Sequence, residues 1–105
     1  MNLTLGMATL DDFDGVRMTI QAAKIAAEEA GVRLKQIIVV NNRPDSQHGK
    51  DTEHFVTKKV GDEALHVSFK EYESTATREQ VFRHSKSDWT VCVDSHVILY
   101  PVFFR

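Results

Sequence analysis

The chain has 105 residues, which is enough for one domain with a single core. Hydrophobic residues make up 42% of it and charged residues 27%, the balance of a soluble globular protein. The net charge is −2 and the 13 basic residues are scattered, which excludes the concentrated basic face of a nucleic-acid-binding domain.

The sequence lacks the features of a membrane-spanning, secreted or disulfide-bonded protein. No apolar segment is long enough to cross a bilayer, and residues 1–15 lack the basic and apolar regions of a secretory signal. Cys92 is the only cysteine, so no internal disulfide can form, and the apolar run around it predicts a buried, inert thiol. We therefore expect a cytoplasmic protein without a membrane span.

The N-terminal part of the chain predicts a strand and a helix. Residues 2–9 alternate leucine and methionine with smaller residues, as a strand does. An acidic turn follows, and a helix then runs to about Ala30, with apolar residues at spacings of three and four. The residues of this apolar stripe are Val16, Ile20, Ala23, Ala27 and Ala30. Asp12 or Asp14 is placed to cap the helix, and Gly31 to end it.

Three further strands and two helices are predicted in the rest of the chain. Residues 36–41 are mostly β-branched and apolar, as in a parallel strand covered on both faces. The remaining elements are a helix over 51–60 capped by Asp51, a strand over 65–69, a helix over 76–85 capped by Ser74 or Thr75, and a strand over 90–93. The side chains expected to be buried by these two helices are Phe55, Val56, Val60, Val81 and Phe82.

The order of the elements predicts the fold class. Strands and helices alternate as β-α-β-α-β-α-β without an internal repeat or linker, which predicts an α/β fold in one domain over residues 1–105. We expect a mainly parallel four-stranded sheet with flanking helices and right-handed crossovers. Open sheets of this kind bind ligands outside the carboxyl ends of their strands, so that edge is the predicted site.

Candidate contact residues lie at or after the end of each predicted strand at this edge. They are Ala8, Thr9 and Asp12 after the first strand, Asn41 after the second, Arg78 after the third, and Asp94, Ser95 and His96 after the fourth. Each has a simpler explanation on its own: Asp12 as a helix cap, Asn41 as a turn residue, Arg78 as a solvated cation. Their common location favours a binding site.

Asp94 and His96 form the most informative pair. Residues two apart on an extended chain project to the same face, so both side chains can reach one point while Ser95 points away. A carboxylate among apolar residues needs compensation, which a divalent cation would supply. Two protein ligands alone make a weak metal site, so further oxygens must come from water and a bound anion such as a diphosphate. The alternative is an Asp–His hydrogen bond that closes the strand end.

Four segments of the chain resemble a known family. They are "LTLGMATLDDFDGVRMTIQA", "IIVVNN", "STATREQVF" and "VCVDSHVIL". In this order they resemble the nucleotide-sugar-binding half of family 2 glycosyltransferases of the GT-A fold, over essentially the entire chain. The family places an Asp-x-Asp metal motif at the end of its fourth strand, where Asp94-Ser95-His96 stands here. An Asp-x-His version resembles the manganese motif of transferases that attach N-acetylgalactosamine to polypeptides. The resemblance thus implies a truncated, Rossmann-like GT-A half-domain in which Asp94 and His96 bind Mn²⁺ or Mg²⁺.

The same resemblance assigns residues to a UDP or UDP-sugar ligand. They are Ala8, Thr9, Asp12, Asn41, Arg78, Asp94 and Ser95. The family holds uracil and ribose with groups that follow the first strand, and Asp94 would reach the ribose or the metal. Asn41 stands where an acid commonly contacts uracil; its amide can accept the uracil N3–H but brings no charge. Arg78 is one residue out of place in the family's Ala-Arg-Asn block and would contact the base or the diphosphate.

The resemblance implies binding more strongly than catalysis. Family members continue into an acceptor-binding half that carries the catalytic base, whereas this sequence ends at Arg105. General-base assistance contributes about a hundredfold to ten-thousandfold in rate. We therefore expect metal-dependent nucleotide binding with little or no transferase activity by this chain alone. The alternatives are a transferase or UDP-sugar hydrolase completed by a partner subunit, and a scaffold protein that keeps the fold without the ligand.

Two expectations concern the surface. The apolar residues between Ile98 and Phe104 would leave an exposed patch, which favours a homodimer through the C-terminal region; the alternative is that this segment folds over its own sheet. The histidines outside the Asp-x-His motif show no ligand spacing, and we expect them to be surface residues. They are His48, His54, His66 and His84.

Overall fold

The computed structural model describes residues 2–10, 12–61, 63–69, 74–87 and 89–94, apart from the side chains of residues 74–78 and 94. The elements in these ranges are β1 (Asn2–Thr9), α1 (Phe13–Ala30), β2 (Arg33–Asn41), α2 (Gln47–Phe55), a π-helical turn (Val56–Val60), β3 (Ala64–Ser68), α3 (Ser74–His84) and β4 (Trp89–Asp94). The predicted alternation of strands and helices is confirmed. None of the helices found in these ranges is both long and apolar enough to cross a membrane.

The four strands form one sheet in the order β3-β2-β1-β4, and every pairing is parallel. The chain steps from β1 to β2 to β3 and then crosses to the other side of β1. Because right-handed crossovers in opposite directions lie on opposite faces of a sheet, α1 and α2 cover one face and α3 covers the other. The α/β class and the parallel sheet predicted from the sequence are therefore confirmed.

The larger core lies between the sheet and α1 with α2. Alternate residues of β1 and β2 face it, together with one side of α1 and the π-helical turn. Its fully buried side chains include Leu5, Met7, Ile20, Ile37 and Val39. Burying a side chain of this size contributes about 1.5–3 kcal/mol, so this layer supplies most of the hydrophobic stabilisation.

The opposite face has a smaller core beneath α3. Ile38, Val40 and Val81 are fully buried there, with Cys92 partly buried at its margin. The Cys92 thiol was predicted to be buried, whereas the residue is only partly buried. Gly6 of β1 lies directly below Val81, and this glycine allows α3 to approach the sheet closely.

The ends of α1 follow the predicted signals. Asp12 is the N-cap, and its Oδ1 accepts a hydrogen bond of 3.0 Å from Gly15 N–H. Gly31 ends the helix at φ 72°, with its N–H donating to Glu28 and Val32 N–H donating to Ala27. This pair of bonds is the Schellman motif, which satisfies carbonyls at the end of a helix.

Three details of the later elements differ from the sequence predictions. The helix expected to start at Asp51 begins at Gln47, with Ser46 as its N-cap accepting from Gly49 N–H at 2.9 Å. The strand expected at 36 begins at Arg33. The side chain of Phe82, expected to face inward, is 55% exposed, because α3 turns Val81 towards the sheet.

Candidate functional site

The carboxyl ends of the four strands meet at one edge, as the sequence predicted. In the strand register Thr9 pairs with Asn41, and Asn41 pairs with Ser68 of β3. On the other side of β1, Ala8 pairs with Asp94. Backbone positions that are far apart in sequence are therefore neighbours at this edge.

The strand order identifies one position along this edge as special. Connections run in one direction from β1 through β3 and in the other direction to β4, so the order reverses between β1 and β4. Open α/β sheets bind their ligands outside the carboxyl ends of the strands at such a switch point. Ala8 and Asp94 are the last register pair between β1 and β4.

The three α-helices of the described ranges begin at the same edge, because each follows a strand and runs back antiparallel to it. Their first residues are Phe13, Gln47 and Ser74. A helix N-terminus carries a partial positive charge that favours anions, although the caps Asp12 and Ser46 already accept from N–H groups of α1 and α2. The edge as a whole is thus suited to a negatively charged ligand.

The predicted contacts after β1 take part in local structure. Thr9 is 2% exposed, and its hydroxyl donates to the Asp12 carbonyl at 3.5 Å. The Asp12 carboxylate caps α1, as its simpler explanation required. Ala8 is partly buried. The backbone of this loop adjoins the switch point, while a ligand contact by the Asp12 carboxylate stays a prediction.

The polar atoms of the Asn41 side chain already have partners within the protein. Its side chain is fully buried; Nδ2 donates to Gly49 C=O at 3.0 Å and lies 3.1 Å from His66 Nε2. Its Oδ1 accepts from Arg43 N–H at 3.0 Å. The explanation of Asn41 as a turn residue accounts for the contacts with Gly49 and Arg43 but not for the contact with His66. A uracil contact by this side chain stays a prediction, and it would require the fully buried side chain to become accessible.

Two histidines near this edge have contacts that sequence reasoning missed. His48 is exposed, as expected, but its Nδ1 lies 3.4 Å from Phe13 N and accepts from the first turn of α1. His66, expected on a polar surface, is half-buried beside Asn41. His84 is also partly buried, so the surface prediction was wrong for it as well. Alternation along β3 did not reveal that the π-helical turn packs against the face that carries His66.

The remaining predicted residues fall partly or wholly outside the description. Arg78 lies on α3 and Asp94 ends β4, but their side chains are not among those described. Ser95 and His96 lie outside the described residues. Within the described part of the chain no three potential metal ligands come together. A carboxylate and an imidazole are a donor set that suits Mn²⁺. Because the side chains of Asp94 and His96 are not among those described, the metal site stays a prediction.

A cleft of about 490 Å³ lies at the opposite edge, where β2 and β3 begin and α3 ends. Its lining includes Lys35, Arg83 and Lys86. The basic groups there have a structural explanation, because cations are stabilising near the carbonyls at a helix C-terminus. Gln36 also caps α3 by donating to His84 C=O at 2.9 Å. We therefore keep the carboxyl edge as the candidate site although the cleft is the better-formed concavity.

A scan against protein-family models gave no match for this chain, and a comparison with curated proteins gave none. What the structure defines is a class: an open, parallel, Rossmann-like α/β domain with its switch point between β1 and β4.

Proposed function

We propose that this chain binds UDP or a UDP-sugar at the carboxyl edge of its sheet, with Mn²⁺ or Mg²⁺ held by Asp94 and His96. The observation that carries the proposal is the switch point between β1 and β4, where Ala8 pairs with Asp94. The resemblance to family 2 glycosyltransferases supports the choice of ligand, since its motif residues stand at the ends of these two strands.

The charges at this edge support a diphosphate ligand. A diphosphate brings negative charge that has to be neutralised, and the three helix N-termini provide partial positive charge. A divalent cation at Asp94 and His96 would add the larger compensating charge when bound. Arg78 on α3 would add a guanidinium for the base or the diphosphate. The loop after Thr9 would hold the uracil and ribose.

Calorimetric titration of UDP with and without Mn²⁺ tests the proposal. We expect binding that requires the metal and that weakens at least about tenfold in the variants Asp94→Asn and His96→Ala. Even the loss of a residue that only hydrogen-bonds to a metal ligand lowers metal affinity by about 10–100-fold. Glu29→Gln is the matched control, because this exposed acid lies near the end of α1 away from the site. An absence of binding by the wild type in both conditions would refute the proposal.

Release of UDP from a panel of UDP-sugars separates a binding module from an active enzyme. We expect no release by this chain alone while UDP binding is intact. Release that appears only with an added protein partner would instead support a transferase or hydrolase completed by another subunit.

One observation favours a second candidate function, a scaffold that keeps the fold without the ligand. Asn41 stands where the family commonly has a uracil-binding acid. Its side chain is fully buried and hydrogen-bonded to Gly49 and Arg43. A scaffold predicts a melting temperature that does not respond to UDP and Mn²⁺ together. A rise in melting temperature with saturating ligand would refute it, because a ligand that binds only the native state stabilises it.

We further propose that the protein is a homodimer through its apolar C-terminal region. This proposal is supported by β4, which lies at an edge of the described sheet and carries Trp89, a side chain 63% exposed. Exposed strand edges and apolar groups favour association. Analytical ultracentrifugation should give twice the chain mass of 11.9 kDa at micromolar concentration. A monomeric mass throughout would refute the dimer.

A further inference from the structure

The orientation of the Asn41 amide is fixed by two main-chain groups. Gly49 C=O can only accept a hydrogen bond and lies 3.0 Å from one terminal atom of the side chain, which must therefore be the nitrogen. Arg43 N–H can only donate and lies 3.0 Å from the other, which must be the oxygen. In a flipped amide the oxygen would face the Gly49 carbonyl oxygen, and the NH₂ group would face Arg43 N–H. Neither pair could form a hydrogen bond. The nitrogen thus faces His66.

This orientation determines the state of the His66 ring. Nε2 of His66 lies 3.1 Å from Asn41 Nδ2, and an amide nitrogen is a donor only. Nε2 must therefore accept, which requires the neutral ring with its proton on Nδ1. A protonated ring carries N–H groups on both nitrogens and would direct a donor at the Asn41 amide.

We propose that His66 is a pH-sensitive contact that holds the loop between β2 and α2 in place when neutral and loosens it when protonated. The inference does not depend on nucleotide binding. Protonation of Nε2 removes the acceptor for the buried Asn41 amide. The same amide donates to Gly49 C=O and accepts from Arg43 N–H, so it links the two ends of this loop.

The loop is packed tightly enough to transmit this disturbance. A Cβ on Gly49 would overlap the Arg43 carbonyl oxygen, so the two backbone segments are in direct contact. The residue before Gly49 is His48, which accepts from Phe13 N–H at the start of α1. Movement of the loop would therefore reach the first turn of α1 at the carboxyl edge.

The charged surroundings of His66 come from the elements packed against β3. Burial lowers the pKa of His66 below 6.5, and the negative charge of Glu53 on α2 opposes this effect. On β2 the register partner of His66 is Val39, which is uncharged. The other ionisable side chains of α2 and the π-helical turn are His48, Lys50, Asp51, His54, Lys58 and Lys59; all are exposed except Asp51, which is partly buried.

The direction of the pH effect follows from proton binding. Because the pKa of His66 is lower in the folded state, the unfolded chain binds more protons than the folded chain as pH falls below 6.5. The contribution of His66 to stability is therefore complete above about pH 6.5 and is lost as pH falls through its folded pKa.

NMR of the wild-type protein tests the contact directly. We expect the His66 Cε1–H resonance to titrate with a midpoint below 6.5 and the ring to be protonated on Nδ1 at pH 7.5. The side-chain amide resonances of Asn41 should shift with the same midpoint. A His66 midpoint at or above 6.5, or Asn41 amide resonances that do not follow it, would overturn the proposal.

Two variants provide a matched comparison. His66→Gln places a neutral acceptor at about the reach of Nε2, so its urea midpoint should fall less than that of the wild type between pH 7.5 and 5. His54→Gln removes an exposed histidine from the neighbouring helix and should retain the full wild-type pH dependence. Equal pH dependence in His66→Gln and the wild type would contradict the proposal.

Discussion

Substitution of Gly6 by alanine tests the packing of α3 on the sheet. A Cβ on Gly6 would overlap Cγ1 of Val81 and lie 2.9 Å from Cγ2 and 3.0 Å from Cβ. Val81 is fully buried and β-branched, so a helix leaves it essentially one side-chain rotamer and it cannot turn away. The clash has to be relieved by a shift of α3 or β1.

The expected cost follows from two opposing effects. Overpacking a core costs about 1–3 kcal/mol, and this overlap belongs at the upper end. Alanine regains about 0.5–1 kcal/mol over glycine within a strand because the unfolded chain is less flexible. We expect Gly6→Ala to lower the free energy of unfolding by about 2 kcal/mol, which is a melting temperature roughly 10 °C lower for a domain of this size.

A double-mutant cycle with Val81→Ala separates steric overlap from other causes. Val81→Ala alone should cost about 2 kcal/mol, from two lost methyl groups and the space they leave. In the double variant the alanine at position 6 fills part of that space. The double variant should therefore be about 1–2 kcal/mol more stable than the sum of the two single effects predicts.

Urea unfolding followed by circular dichroism gives all the free energies in this cycle. Gly31→Ala is the control: no atom lies within 4 Å of its Cβ position, but its φ of +72° makes any side chain unfavourable by about 1–2 kcal/mol. Val81→Ala should not relieve that cost. Strict additivity of Gly6→Ala and Val81→Ala, or wild-type stability of Gly6→Ala, would refute the packing argument.

Three further predictions concern the loop before α2 and use the same unfolding assay. Gly49→Ala should lower stability by about 3 kcal/mol, because its Cβ would overlap backbone atoms of Arg43, which cannot rotate away; a loss under about 1 kcal/mol would contradict this. Ser46→Ala should cost about 1 kcal/mol and Asp51→Ala nearly nothing, since Ser46 is the N-cap; the reverse order would contradict the observed helix start. Asn41→Ala should cost about 2–4 kcal/mol by removing buried hydrogen bonds to Arg43 N–H and Gly49 C=O, and a neutral result would show that water replaces the amide.

Local signals were sufficient wherever an element carries its own pattern. The stripe of α1 repeats every three or four residues and ends at Gly31, so its periodicity and its C-cap were predicted without knowledge of any neighbour, with Asp12 or Asp14 as the N-cap. The strand before Asn41 was recognisable because both of its faces are buried.

The predictions failed where a neighbouring element decides the outcome. Ser46 and Asp51 are both acceptable caps in sequence, and the contact of Gly49 with the backbone of Arg43 fits a helix that starts at the first. Phe82 and Val81 are adjacent apolar residues, and the position of Gly6 on the sheet selects Val81 for burial. His66 alternates with apolar residues, but its ring contacts the buried Asn41 side chain of β2.

The candidate site divides in the same way. The sequence alone placed Ala8, Thr9, Asn41 and Asp94 at strand ends and predicted parallel strands, which is enough to bring their backbones to one edge. Only the tertiary structure gave the order β3-β2-β1-β4 and so the switch point between Ala8 and Asp94. It also showed that the Asn41 side chain is hydrogen-bonded to Gly49 of α2. The reason is physical: strand ends follow from local patterns, whereas strand order and side-chain burial depend on contacts between distant parts of the chain.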